Sequence, residues 1–119
     1  MYIAIYLNKI TKFVTGDDVD MTFILKDVMG NLLVSLSQIK IKAVVYGWST
    51  ELKLKNTLAG GDDTQISVDG AEFTIHMKSS DTKDFYVGTY ILEIEIEKDN
   101  KINTVYNENI TFRSELLDW

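Results

Sequence analysis

The sequence predicts an all-β fold, an immunoglobulin-like antiparallel β-sandwich that occupies residues 1–119 as a single domain. Three observations lead to this prediction. Apolar and polar residues alternate with a period of two, turn signals recur about every ten residues, and no stretch has the long 3.6-residue period of a confident helix. The chain contains neither cysteine nor proline, so packing and strand pairing must stabilise it without disulfides.

Composition and charge restrict the classes of partner. The chain is 45% hydrophobic and 25% charged, which is typical of a globular domain with one hydrophobic core. Its net charge of −6 is spread along the length, and because no basic face is apparent we expect no nucleic-acid partner. The segment 1–7 lacks a basic leader, and no uncharged run approaches the roughly 20 residues that cross a bilayer. We therefore expect neither a signal peptide nor a membrane partner.

The first half of the chain predicts a hairpin followed by an interior strand. Residues 19–26 alternate and then meet a turn signal at 27–31, which should fold the chain back into 32–36. Residues 39–46 also alternate, with one apolar face and one face that begins basic and ends aromatic. This segment is the best candidate for a central strand.

The middle of the chain predicts two short strands around a loop. Residues 52–54 form a short strand, and 56–64, which contain Gly60-Gly61-Asp62-Asp63, are interpreted as a mobile loop. Residues 65–68 then lead through Asp69-Gly70, a hairpin signal, into the strand 72–78.

The clearest strand lies in the last third, at residues 89–98, where one face is aliphatic and the other is a row of glutamates. A turn at 99–101 leads to a twisted partner strand at 102–113. The whole pattern predicts eight or nine strands with this core: Phe23, Leu25, Ile41, Ala43, Phe73, Ile75, Leu92 and Ile94.

No residue pattern indicates catalysis or a cofactor. His76 is the only histidine, and its strand position predicts a half-exposed surface residue rather than part of a metal site or a triad. The aspartates at 17, 18, 20, 62 and 63 lack the ligand spacing of an EF-hand loop. Glu93, Glu95 and Glu97 form a carboxylate ladder that predicts a solvated face or a face matched to lysines on a neighbouring strand. We expect no enzyme activity, no metal and no cofactor.

Four large apolar residues are candidates for an interface. Trp48 ends the strand 39–46 together with Tyr46, where it either closes the core or forms a recognition patch. Leu116, Leu117 and Trp119 make the chain end on apolar side chains, which contact a neighbouring subunit or fold back on their own sandwich.

Several short motifs resemble one known family. They are the opening Thr15-Gly16-Asp17, the first turn at 25–30, and Ser80-Asp81-Thr82 leading to Val87-Gly88-Thr89-Tyr90. Together they resemble the N-terminal Ig-like domain family of phage baseplate upper proteins, over about residues 13–115. In that family a Gly-x-Tyr motif opens a late strand. Here Gly88 allows a tight entry into the strand, while Tyr90 can bury its ring and hydrogen-bond its hydroxyl to nearby backbone.

The resemblance implies a virion structural protein, made in the host cytoplasm and built into a tail, baseplate or other particle-bound assembly. Its implied partners are other virion proteins and further copies of itself, and the resemblance supplies no catalytic residues. The alternative is a receptor- or carbohydrate-binding module, in which the loops around Trp48, Gly60-Gly61 and Phe85-Tyr86 form one recognition surface.

Overall fold

A computed structural model describes residues 1–32 and 36–114. The alternating segments form nine strands within these residues, joined by turns, a single-turn helix α1 and one 3₁₀ turn at Thr57–Ala59. The elements are β1 (Tyr2–Tyr6), β2 (Lys12–Val14), β3 (Val19–Asp27), β4 (Lys40–Gly47), β5 (Thr50–Lys55), β6 (Ile66–Asp69), β7 (Glu72–Met77), α1 (Ser79–Thr82), β8 (Gly88–Lys98) and β9 (Lys101–Arg113).

The strands form two sheets that pack face to face. The four-stranded sheet has the order β1-β3-β7-β6, and the five-stranded sheet has the order β2-β9-β8-β4-β5. Neighbouring strands are antiparallel except β2, which runs parallel to β9. The predicted immunoglobulin-like antiparallel β-sandwich is therefore confirmed. Within the described ranges, no helix is long and apolar enough to cross a membrane.

The core lies between the sheets, where the inward faces of the alternating strands meet. All eight residues that the sequence predicts for the core are buried. Phe23 on β3 stacks on Phe73 of the same sheet, with 5.2 Å between ring centroids. It also meets Tyr106 of the opposite sheet edge-on at 5.0 Å, so this ring joins the two layers.

The Gly-x-Tyr motif opens β8, the middle strand of the five-stranded sheet. The ring of Tyr90 is 1% exposed and stacks on Phe85 with centroids 4.9 Å apart. Its hydroxyl donates a hydrogen bond of 2.9 Å to the carbonyl of Tyr86. Burial raises the pKa of the Tyr90 phenol because the charged phenolate is poorly solvated there. The expected role of Tyr90 is confirmed.

The predicted turn after β3 is present, and Asp27 holds it. Its Oδ1 accepts hydrogen bonds of 2.9 Å from the backbone N–H groups of Asn31 and Met29, and these bonds hold the pKa of the Asp27 carboxyl below its usual value. The return strand is described only by a single bridge between Lys26 and Leu32, since residues 33–35 lie outside the described residues. The long partners of β3 are β1 and β7.

The segment interpreted as a mobile loop begins with an anchored turn. Asn56 is 3% exposed, and its Oδ1 accepts hydrogen bonds of 3.1 Å from the N–H groups of Ile41 and Ala59. Its Nδ2 donates to the carbonyl of Ile39 at 2.8 Å. The side-chain amide of Asn56 thus links the 3₁₀ turn to the start of β4. The glycines of this segment predict mobility and do not indicate such an anchor.

Candidate functional site

Trp48 lies at the surface, at the tight turn between β4 and β5. The two turn residues, Trp48 and Ser49, have φ angles of 53° and 61°, as a two-residue hairpin turn of type I′ requires. The Trp48 side chain is 60% exposed. The interpretation that Trp48 closes the core is therefore wrong, because the turn directs this residue away from the two packed faces.

Three exposed residues form what we call the Trp48 surface: Trp48, Tyr86 and Val87. A Cβ at Gly88 would lie 2.6 Å from Nε1 of Trp48, so the indole rests directly on the backbone at the start of β8. Tyr86 and Val87 come immediately before this glycine and are 66% and 58% exposed. The close approach needs a residue without a side chain at position 88, which gives the glycine of the Gly-x-Tyr motif a second role.

The other residues proposed to form one recognition surface with Trp48 lie elsewhere in the structure. Gly60 and Gly61 follow the end of β5 that is opposite to Trp48, so they do not share a surface with it. Phe85 is 6% exposed and belongs to the core. The proposed interface residues Leu116, Leu117 and Trp119 lie outside the described residues.

A second apolar surface, the β1 stripe, lies on the outer face of the four-stranded sheet. It consists of Ile3, Ile5 and Leu7, which are 48%, 37% and 46% exposed. The alternate residues of the strand face inward, and Tyr6 packs its ring against Phe23 with centroids 5.2 Å apart. The aromatic side chains thus fill the core at this edge, and the aliphatic ones are left in solvent.

The edge strand that carries the β1 stripe has no charged side chain. The three other outer strands each carry a charged side chain: Lys12 on β2, Lys53 on β5 and Asp69 on β6. Charged side chains on an edge strand hinder pairing with another chain. Residues Tyr2–Tyr6 of β1 have none, so this edge strand lacks the charged side chains that the other three carry.

Three polar residues form a hydrogen-bonded chain across the outer face of β3, β7 and β6. The His76 Nδ1 lies 2.7 Å from Oδ1 of Asp20, and its Nε2 lies 2.8 Å from Oγ of Ser67. An ionised carboxylate only accepts, so a hydrogen bond to Asp20 needs a proton on Nδ1, and in the tautomer with a proton on Nδ1 alone Nε2 accepts the serine hydroxyl. This is the order of a serine nucleophile, its base and an orienting acid.

The sequence expectation that no such triad exists missed this arrangement. The three residues are far apart in the chain, and only the sheet register, which places Asp20 opposite His76, brings them together. The site nevertheless differs from a catalytic one in its surroundings. Three aspartates at positions 18, 20 and 63 line the open depression beside His76, with Lys78 as its one basic residue. A negatively charged intermediate is disfavoured there.

Two of the aspartates considered as ion ligands, Asp18 and Asp62, have structural roles. The Asp18 carboxylate accepts a hydrogen bond of 2.7 Å from the N–H of Ser79 at the start of α1. Asp62 accepts from the hydroxyl and the N–H of Thr64 at 2.6 and 2.8 Å, and these bonds hold the pKa of the Asp62 carboxyl below its usual value. In the part of the chain that the structure describes, no three acidic or histidine side chains form a group that could hold a metal ion.

The glutamate ladder faces lysines on the neighbouring strand. Glu97 lies opposite Lys40, with 3.6 Å between the charged groups, and Glu95 lies opposite Lys42. The expectation of a face matched to lysines is confirmed for Glu95 and Glu97, whereas Glu93 lies opposite Val44. Opposite charges on facing strands favour the register of β4 against β8.

The comparisons with known proteins bear on the fold. No protein-family model matches the sequence, and no curated protein matches it. Among solved structures, the chain is similar to the endo-beta-1,4-mannanase from Thermotoga petrophila, with a TM-score of 0.55 and 11% sequence identity. The match covers 97% of this chain and 20% of the mannanase chain. This chain therefore spans about a fifth of that protein's length, and at this identity the likeness concerns the fold alone.

Proposed function

We propose that the chain is a virion structural subunit, part of a phage tail, baseplate or other particle-bound assembly, that acts through protein–protein contacts. The observation that carries the proposal is the uncharged edge strand β1 with its exposed stripe of Ile3, Ile5 and Leu7. The phage setting comes from the family resemblance of the sequence.

The β1 stripe favours a contact function for two physical reasons. An edge strand presents backbone donors and acceptors that another chain can pair with, and this edge has no charge to prevent it. Contiguous exposed aliphatic side chains are also typical of surfaces that another protein covers. Half-buried Ile24 lies opposite Ile5 and extends the stripe onto β3.

The first test is self-association. Changing Ile5 to Lys places a charge in the middle of the stripe while leaving the core unchanged, because this side chain points outward. We expect wild-type protein to exceed the monomer mass in sedimentation equilibrium as its concentration rises through about 10 to 500 μM. Ile5→Lys should remain a monomer over the same range.

Leu58→Lys is the matched control, because Leu58 is 46% exposed and follows β5, at the edge of the other sheet that lies far from β1. It should associate like the wild type. A wild type that stays monomeric throughout, or a control that loses association equally, would contradict the proposal.

The proposal also holds that the chain works without catalysis. Ser67 is hydrogen-bonded to His76 as a nucleophile would be, but three aspartates line the depression beside His76. We expect a fluorophosphonate probe, which labels activated serines, to leave the protein unlabelled while it labels a known serine hydrolase. Labelling of the wild type that disappears in both Ser67→Ala and His76→Ala would reverse this conclusion.

A receptor- or carbohydrate-binding module is the second candidate, and the Trp48 surface favours it. Exposed aromatic rings provide flat apolar faces, and tryptophan and tyrosine dominate many recognition surfaces. A mannan oligosaccharide is a suitable first probe because a structural neighbour is an endo-beta-1,4-mannanase. This candidate requires the probe to raise the melting temperature of the wild type and not of Trp48→Ala. Equal melting temperatures with and without the probe would count against mannan as the ligand.

A further inference from the structure

The backbone of β1 has its free hydrogen-bonding groups at three known positions. The N–H of Leu7 donates to the carbonyl of Thr22 at 3.0 Å, and the register places Ile5 opposite Ile24. Hydrogen-bonded pairs alternate along an antiparallel ladder, so the odd-numbered residues of β1 bond to β3. The N–H and C=O groups of Tyr2, Ala4 and Tyr6 therefore point away from the sheet. Among the described residues, no turn or loop bonds to them.

The charge of the chain restricts what can occupy this edge. At a net charge of −6, two copies repel each other over most of their surface. Residues Tyr2–Tyr6 carry no charged side chain, so a close approach is least unfavourable there. A second copy of β1 offers the same apolar stripe and the same spacing of free backbone groups. An antiparallel edge pairs with itself about a two-fold axis, the commonest symmetry of soluble oligomers.

We propose that two copies of this chain pair antiparallel through β1, about a two-fold axis at Ala4. This inference rests on the proposed contact function of the β1 stripe. The free groups belong to even-numbered residues, so each must face an even-numbered residue of the partner. Full overlap of Tyr2–Tyr6 then places Ala4 opposite its own copy and Tyr2 opposite Tyr6 of the partner subunit. The two four-stranded sheets join into one continuous sheet.

The same register brings the aliphatic stripes together. Ile3 lies opposite Ile5 of the partner subunit in a non-hydrogen-bonded pair, where the Cα atoms are about 4.5 Å apart and side chains are closest. A two-fold axis perpendicular to the sheet keeps both outer faces on the same side. The apolar side chains of both copies therefore form one patch, and the inward tyrosines of both copies continue to face their own cores.

Engineered disulfides test this register, because the natural chain has no cysteine. Ile3→Cys and Ile5→Cys are made as separate variants, one with an affinity tag so that a mixed dimer has its own mass. Opposed non-hydrogen-bonded residues fall within the Cα separation of about 4.4 to 6.8 Å that a disulfide spans. Each residue is about 8 Å from its own copy, which is too far to bridge. Circular dichroism of both variants confirms that they fold.

We expect the mixed Ile3→Cys/Ile5→Cys disulfide to exceed either self-disulfide at least about tenfold after mild oxidation. Leu58→Cys, exposed in the turn after β5, measures random collision and should cross-link no more than the self-pairs. A mixed disulfide no more abundant than the self-pairs overturns the two-fold pairing. If Ile5→Lys still abolishes self-association in that case, the contact function stands and only the pairing geometry fails. A wild type that never self-associates refutes the contact function as well.

Discussion

Replacing Phe23 by Ala is expected to lower the free energy of unfolding by about 3 to 5 kcal/mol, the range for a large aromatic side chain in a packed core. The ring is fully buried. Its centroid lies 5.2 Å from those of Tyr6 and Phe73 and 5.0 Å from that of Tyr106. Its removal therefore leaves a cavity between both sheets and under the edge strand β1. Urea unfolding followed by far-ultraviolet circular dichroism measures the loss.

Leu58→Ala provides the surface reference, since Leu58 is 46% exposed. It should change the free energy of unfolding by no more than about 0.5 kcal/mol. If Phe23→Ala were equally mild, the ring would not be at the centre of the core, and the packing described between β3 and β9 would be incorrect.

The second large effect is expected at a polar residue. Asn56→Ala should cost about 2 to 4 kcal/mol, because it leaves the N–H of Ile41 and the carbonyl of Ile39 without their side-chain partner. Buried donors and acceptors without a partner lose their hydration and gain nothing in return. The same unfolding experiment measures this loss.

Gln65→Ala is the matched control for Asn56. The Gln65 Oε1 accepts a hydrogen bond of 3.0 Å from the N–H of Lys55, an exposed site where water can replace the lost amide. We expect a loss below about 1 kcal/mol there. Equal losses for the two substitutions would show that burial of Asn56 does not determine its contribution.

The fold could be predicted because most strands are amphipathic. On β8, Leu92 and Ile94 alternate with glutamates, so the period of two also identifies the buried face. On β1 both faces are apolar, and periodicity alone cannot say whether Ile5 or Tyr6 turns inward. The answer depends on the tertiary contact between Tyr6 and Phe23, which no local pattern encodes.

The candidate surfaces depend on contacts between distant parts of the chain. The place of Trp48 at a strand end predicts an interface candidate, but its position over Gly88 follows from the order of β4 and β8 in the sheet. The hydrogen bonds of His76 require the register of β3, β7 and β6. The sequence places Asn56 in a loop, and an asparagine in the sequence does not reveal which backbone groups its side chain will hydrogen-bond.

The most direct test of the contact surface is amide hydrogen exchange along β1 at two protein concentrations, followed residue by residue by NMR. The N–H groups of Ile3 and Ile5 should be protected at both concentrations because they bond to β3. The N–H groups of Ala4 and Tyr6, which point to the free edge, should exchange rapidly in dilute protein. They should slow at least about tenfold when the protein is concentrated. Rapid exchange of Ala4 and Tyr6 at both concentrations would contradict the proposal that β1 is where this chain meets its neighbour.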